Sequence, residues 1–195
     1  MTLRSLSLLC LLPVAPAAAQ MAEISMNFGQ SLFRNERLGT SIPGASQFFK
    51  VKDGFRIGAR LTFNSYRFMG HEIVYAYSRS KLGLTDSSEQ VGMPTHQYGY
   101  NLLIYVTPEG APVRPFVTGG GHFSSFYPPG TSVYSGTGVT KFGANYGAGL
   151  KVKVSPLFLV RIDIRDYVTT KPFDLYDKKG ALHQIEASAG LGVHF

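Results

Sequence analysis

The chain has 195 residues, a formal net charge of +7, a single cysteine and no tryptophan. This length suits one domain. The lone Cys10 lies in a predicted leader, which excludes disulfides and thiolate chemistry from the rest of the chain. The 22 glycines recur within the apolar segments and weaken helices. No segment after the leader approaches the roughly 20 apolar residues of a membrane helix. The composition therefore predicts an all-β protein.

Residues 1–19 have the features of a cleaved secretory signal peptide. Arg4 supplies the positive charge, residues 6–12 form the apolar core, and residues 17–19 offer an A-x-A cleavage site before Gln20. The apolar run is too short to anchor the chain as a membrane helix. We therefore expect residues 20–195 to form a single domain outside the cytoplasm.

Eight segments of this domain alternate apolar and polar residues with a period of two, which indicates strands with one apolar face. The second has the cleanest alternation and the fifth the weakest, because three consecutive glycines interrupt its phase. Each segment is near the 9–11 residues that a tilted membrane strand needs. The segments span about residues 22–29, 55–64, 72–78, 97–106, 113–123, 144–153, 158–165 and 185–195.

The connections between these segments alternate in length. Short links at about 65–70, 107–110 and 155–156 alternate with long ones at 30–52, 80–96, 124–141 and 170–182. Short turns on one side and long loops on the other are typical of outer-membrane barrels. A soluble sandwich or lipocalin-like barrel would alternate in the same way, with its apolar face turned inward. The two alternatives differ in which face is buried, and the aromatic Phe195 at the end of the last strand favours the membrane barrel.

Four further motifs carry a family resemblance: RPFV leading into GGG at 114–121, NYGAGLK at 145–151, RIDIRDY at 161–167 and GLGVHF at 190–195. With them the chain resembles the bacterial outer-membrane β-barrel family that includes the small OmpA-like and OmpX-like barrels of the porin family. The resemblance implies an eight-stranded antiparallel up-and-down transmembrane β-barrel with short periplasmic turns and long extracellular loops. It also implies a monomer in the bacterial outer membrane, with Phe195 as part of the signal that the barrel-assembly machinery reads.

Charged residues recur on the polar faces of the predicted strands. An eight-stranded barrel has an interior just wide enough for side chains, and an unpaired charge there is costly. We therefore predict a lumen ion-pair network that plugs the barrel; a narrow conducting pore is the alternative. The predicted members are Glu23, Arg56, Arg60, Glu72, Lys151, Arg161, Asp163, Arg165 and Glu186.

Catalytic signals are sparse. His122 and Ser124 share a strand face and are weak candidates for a base and a nucleophile, a pair that an acid must orient. Barrel enzymes that modify lipid A include a deacylase with a His-x-Ser-Asn motif late in the barrel, and residues 165–169 of this chain lack it. The sequence has no H-x-x-x-H spacing or carboxylate-rich loop that would indicate a metal site, and no P-loop or dinucleotide fingerprint that would indicate a cofactor. We predict a non-enzymatic barrel, with a lipid A-modifying enzyme as the alternative.

The expected partners follow from the location. Removing Arg4 with the leader leaves a net charge of +6, and export argues against nucleic acid as its partner. We expect contact with outer-membrane lipids and the phosphates of lipopolysaccharide. The expected role is envelope integrity or surface interaction through the extracellular loops. Aromatic residues in the loops around 127–134 and 172–176 are candidates for binding an unknown extracellular ligand.

Overall fold

The computed structural model describes residues 22–34, 36–85, 87–128, 138–177 and 179–195. The predicted signal peptide and residues 129–137 of the third long connection, with the aromatic Tyr134, lie outside the described residues. No helix of the described part of the chain is long and apolar enough to span a membrane.

Eight long strands form a closed antiparallel barrel, which confirms the predicted architecture. Each strand pairs with its neighbours in sequence, and β1 pairs with both β9 and β3, which closes the sheet. A ninth strand, β2, has three residues and extends the sheet beside the start of β3. The strands are β1 Ala22–Arg34, β2 Arg37–Gly39, β3 Phe49–Tyr66, β4 Met69–Leu84, β5 Gln90–Tyr105, β6 Val113–Phe126, β7 Val139–Lys153, β8 Phe158–Thr170 and β9 Ala181–His194.

The register fixes the dimensions of the barrel. Following paired residues once around the sheet from Ala22 leads back to β1 at Leu32, a shear of ten residues. With a rise of about 3.3 Å per residue and strands about 4.7 Å apart, this shear tilts the strands by about 41°. The backbone cylinder then has a radius of about 8 Å, which leaves room inside for side chains only.

Burial decides which face of the sheet is which. Along β8, Arg161, Asp163 and Arg165 point into the lumen and are almost completely buried, whereas Ile162 and Ile164 point outward and are 52% and 61% exposed. On the other strands most outward residues are likewise apolar and exposed, and most inward residues are polar and buried, with exceptions such as Val74, Leu103 and Phe116. A soluble barrel places its apolar face inside, so the lipocalin-like alternative is wrong and the apolar band faces lipid.

We call the end of the barrel with the β3–β4, β5–β6 and β7–β8 turns the turn end, and the opposite end the loop end. At the loop end the strands are longer than predicted. The expected loop 80–96 is mostly strand, because β4 continues to Leu84 and β5 begins at Gln90. The outward residues there are polar, glycine or proline, which hid the alternation, while the inward face changes from charged to mainly apolar, with Leu82 and Met93 beside the small polar Ser80 and Thr95.

These inward residues close the loop end with an apolar cluster. Partly buried side chains from the last connection, Phe173 and Leu175, pack against it. The cluster consists of Phe33, Leu38, Val51, Met93, Phe126 and Leu182.

An arginine on the lipid-facing surface tests the orientation of the sheet. Met26 lies at the middle of the outward face of β1 and is half exposed, whereas Val106 is exposed at the turn end. We expect Met26→Arg to lower the free energy of unfolding in phospholipid vesicles by about 2–4 kcal/mol, because the charge would enter the centre of the hydrocarbon.

Val106→Arg, at the membrane boundary, is the matched control and should cost about 0–1 kcal/mol. Denaturant titrations of both variants measure the difference. Equal costs at the two positions would contradict the lipid-facing assignment.

Candidate functional site

All nine charged residues predicted for the lumen point into it and are buried. The strand period explains this placement, since residues two apart share a face. The structure arranges them in two layers, and a third layer of neutral side chains lies between these and the apolar cluster.

The middle layer centres on two carboxylates that share two arginines. Arg161 contacts Glu72 Oε2 through Nη1 at 2.5 Å and Asp163 Oδ2 through Nε at 2.7 Å. Arg165 contacts Glu72 Oε1 at 2.8 Å and Asp163 Oδ1 at 2.9 Å. Glu72 lies on β4 and the other three on β8, four strands away around the barrel, so the two contacts of Glu72 cross the full width of the lumen.

A third carboxylate, Glu186 on β9, collects four donors. Arg60 Nη2 lies 2.5 Å from its Oε1 and Arg56 Nε lies 3.1 Å from its Oε2. The Tyr167 hydroxyl donates to Oε2 at 3.0 Å and the Ser188 hydroxyl to Oε1 at 2.6 Å. Charge-assisted hydrogen bonds of this kind are stronger than neutral ones.

Arg60 joins the two carboxylate groups into one network. Its Nη1 lies 2.5 Å from Asp163 Oδ2, while Nη2 of the same guanidinium contacts Glu186. One planar side chain from β3 therefore bridges β8 and β9.

The layer at the turn end combines an ion pair with aromatic rings. Lys151 Nζ contacts Glu23 Oε2 and donates to the Tyr105 hydroxyl at 2.9 Å. Asn64 Nδ2 donates to Glu23 Oε1 at 3.0 Å. The guanidinium of Arg114 lies 3.6 Å from the centre of the Tyr105 ring, a cation–π contact in a desolvated site.

The layer nearer the loop end is built from amides and hydroxyls. Gln97 Nε2 donates to Ser124 Oγ and to Gln184 Oε1, both at 2.8 Å. Gln184 Nε2 donates to Ser31 Oγ at 2.5 Å and to Ser78 Oγ at 3.3 Å. Gln97 and Gln184 lie on β5 and β9, so the hydrogen bond between them also crosses the lumen between opposite strands.

The weak catalytic candidates are close but not coupled. Ser124 Oγ accepts from Gln97, and the His122 ring packs edge-on against Tyr167 with 5.0 Å between ring centres. Among the described residues no hydrogen bond joins His122 to Ser124, and neither ring nitrogen has a hydrogen-bond partner. Both side chains are buried inside the barrel. The arrangement lacks the bond by which a base activates a serine.

Two further candidates concern metal binding and assembly. In the described ranges no group of three or more His, Cys, Asp and Glu side chains is placed to hold a metal ion. Phe195 lies at the turn end with its side chain 63% exposed, and its backbone exchanges two hydrogen bonds with Ala22, each 3.1 Å long. Its role as an assembly signal stays a prediction.

The predicted network contained only charged residues, and it omitted several lumen residues that complete the layers, five of them with larger side chains. Tyr167 follows Arg165 by two positions, so the alternation could have found it. Arg114 lies close to the glycine run whose phase was unclear. The five are Gln97, Tyr105, Arg114, Tyr167 and Gln184.

Removing one shared carboxylate tests the network. Glu72→Gln leaves Arg161 and Arg165 facing each other across a single remaining carboxylate, Asp163. We expect the free energy of unfolding to fall by about 3–5 kcal/mol, as it does when one partner of a buried ion pair is removed.

The same substitution at Glu36, whose partly exposed carboxylate lies 3.9 Å from Lys50 Nζ, is the matched control. It should change the free energy of unfolding by less than about 1 kcal/mol. Equal effects of the two substitutions in vesicle unfolding would mean that the lumen contacts are energetically unimportant.

Comparison with solved structures places this geometry among outer-membrane barrels. The outer membrane protein OprG from Pseudomonas aeruginosa superposes with a TM-score of 0.71 at 13% identity, covering 91% of this chain and 96% of that one. Neisserial surface protein A gives 0.63 at 14% identity, with 89% and 97% covered. The N-terminal β-barrel domain of Pseudomonas aeruginosa OprF gives 0.52 at 14% identity, with 90% and 98% covered.

At these identities the likeness concerns the fold alone. No curated protein sequence gives a significant match. A family model for the outer membrane protein beta-barrel domain matches residues 5–195. This family match agrees with the apolar exterior of the barrel and with the location predicted from the sequence. The chain therefore belongs to the outer membrane protein beta-barrel domain family and resides in the bacterial outer membrane.

Proposed function

We propose that the protein is a sealed, non-enzymatic barrel that supports envelope integrity and presents its loop end for surface interaction. The observation that carries this proposal is the filling of the lumen. Side chains from opposite strands meet at two levels, Glu72 with Arg161 and Gln97 with Gln184. Aromatic rings lie below these contacts and the apolar cluster lies above them.

A conducting pore is the less favoured alternative. Water-filled channels occur in much wider barrels, whereas eight strands leave an interior that side chains can fill. Here Arg161, Arg165, Glu72 and Asp163 are at most 1% exposed. An ion moving through would have to displace arginines that are each held by two carboxylates.

The loop end supports a role in display. The connection after β2 and the connection after β8 form an antiparallel bridge, in which Thr40 and Tyr176 exchange backbone hydrogen bonds of 2.9 and 3.0 Å. Asp177 Oδ2 accepts from Thr40 Oγ1 and from Gly44 N, each at 3.1 Å. These contacts tie two loops into one platform.

The loop aromatics divide into two kinds. Phe173 packs against the apolar cluster and serves the loop's own packing. Tyr176 is 55% exposed on the platform and is available to contact a ligand.

Planar-bilayer recording tests whether the barrel is sealed. We expect the wild-type protein to add no conductance to the bilayer, with heat-modifiable migration on gels of the same preparation showing that the barrel is folded. The double variant Glu72→Ala/Arg161→Ala removes both partners of one ion pair that crosses the lumen, so neither charge of that pair is left without its partner. We expect this variant to conduct ions measurably.

Steady conductance by the folded wild type would contradict the proposal. The variant Gln90→Ala, at the exposed start of β5, is the control for substitutions outside the lumen and should stay silent.

A further inference from the structure

We propose that the outer face of β3–β6 binds one phosphorylated, multiply acylated glycolipid of the outer leaflet, the lipid A part of lipopolysaccharide. A row of cations would hold its phosphate, and an apolar groove below would hold an acyl chain. This inference concerns the outside of the barrel and does not depend on whether the lumen is sealed.

The outward residues of β4 change in type along the strand in the order expected for the successive layers of a membrane. From the middle of the barrel towards the loop end it carries Ile73, Tyr75, Tyr77, Arg79 and Lys81. The order runs from aliphatic to aromatic to cationic. Amphipathic rings prefer the level of the headgroups, so Arg79 and Lys81 lie at the level where lipid phosphates begin.

Three cations from neighbouring strands form a row at that level. Lys52 on β3 is the direct register partner of Lys81 on β4, whose other partner is Gly92 on β5. A Cβ atom added to Gly92 would lie 3.4 Å from Arg79 Nε and 3.6 Å from Nη2, so the guanidinium lies over this glycine. We call Lys52, Arg79 and Lys81 the cation row.

The cation row has no carboxylate of its own among the described residues. The nearby acids are engaged elsewhere: Glu36 contacts Lys50 at 3.9 Å, and Asp53 Oδ1 accepts from Phe33 N at 2.7 Å. Like charges directly opposite each other in a sheet are destabilising. An anion bound at the row removes that repulsion.

Aromatic side chains form a second surface directly below the cation row, which we call the aromatic platform. Tyr77 packs against Phe55 with 6.1 Å between ring centres and against His96 with 5.2 Å. Tyr75 packs against Tyr98 at 5.3 Å, and its hydroxyl lies 2.9 Å from His96 Nδ1. Such a surface offers ring faces and polar tips together, which suits the sugar of a glycolipid.

An apolar groove of about 490 Å³ continues below this platform. Gly121 on β6 has no side chain, and the Phe142 ring lies over it, 3.3 Å from where a Cβ atom would stand. The groove lies between Tyr98 and Tyr100 on one side and the Phe123–Phe142 pair on the other. The two phenylalanine rings lie 5.2 Å apart. The groove lies within the lipid-facing band, so its occupant is a hydrocarbon chain.

Continuity between the three features argues for a single lipid. Tyr75 belongs both to the aromatic platform and to the wall of the groove, and it lies four residues from Arg79 on the same strand. A second apolar groove, near Phe158 and Leu191, lies at the turn end, and neither groove has a lysine or arginine in its own lining. What favours the first groove is that its wall continues through Tyr75 into the aromatic platform and on towards the cation row.

Native mass spectrometry of the purified full barrel tests the proposal. The probes are bis-phosphorylated hexa-acyl lipid A, the same lipid without phosphates, and phosphatidylglycerol. The test variant is Lys52→Gln/Arg79→Gln/Lys81→Gln, and the charge-matched control is Arg67→Gln/Lys153→Gln/Lys179→Gln, whose positions lie away from the groove.

The wild type should hold one bis-phosphorylated lipid A at least tenfold more tightly than either other probe. The affinity of the test variant for this lipid should fall at least tenfold, because each cation near an anionic lipid surface contributes about a factor of five to binding. The affinity of the control variant should change little. Gly121→Leu should weaken binding by filling the groove. Ala189→Leu, on the lipid-facing surface of β9 at the opposite side of the barrel, should leave binding unchanged.

Equal binding by test and control variants would overturn the proposal. Equal binding of lipid A and phosphatidylglycerol would also overturn it, by showing general attraction of anions. Folding of every variant is checked by heat-modifiable migration, so a loss of binding is scored only on folded barrels.

Discussion

The structure depends on one constraint: a charge inside a narrow protein lumen must be compensated there. Moving an ion out of water costs several kcal/mol even after relaxation, and a contact at about 4 Å returns about 4 kcal/mol at an effective dielectric constant of 20. A carboxylate therefore needs more than one cation, and a guanidinium more than one carboxylate. Asp163 meets three arginines and Glu72 meets two, so the cost is shared across the network.

The same alternation of residues along each strand produces both the paired charges inside the barrel and the apolar surface that faces the lipid. The segment of β8 from Arg161 to Arg165 places three charges inside and two isoleucines outside. The lipid requires closed backbone pairing and an apolar exterior, and the small shear then leaves only a side-chain-filled interior. Above the membrane the lipid no longer imposes the pattern. There the inward face becomes apolar and closes the loop end, while the outward face becomes cationic along β3 and β4.

The alternation in the sequence was sufficient to predict the eight strands and to place nine charged residues on the lumen face. It could not predict which of them meet. Glu72 reaches Arg161 on the opposite strand because of the shear, which depends on the registers of all eight pairings. The strand ends near 80–96 were missed because polar outward residues there resemble a loop. The role of Arg114 was hidden by the neighbouring glycines, and the cation row appears only when Lys52 and Lys81 are seen as register partners.

The central claim is that the lumen charges stabilise the barrel through one another rather than separately. A double-mutant cycle on Glu72 and Arg161, with each replaced by Met in turn and then together, measures their coupling directly through unfolding in vesicles. We predict that each single variant is strongly destabilised and that the double variant recovers at least about 2 kcal/mol relative to the sum of the singles. Additive losses, with no coupling between the two positions, would contradict the account.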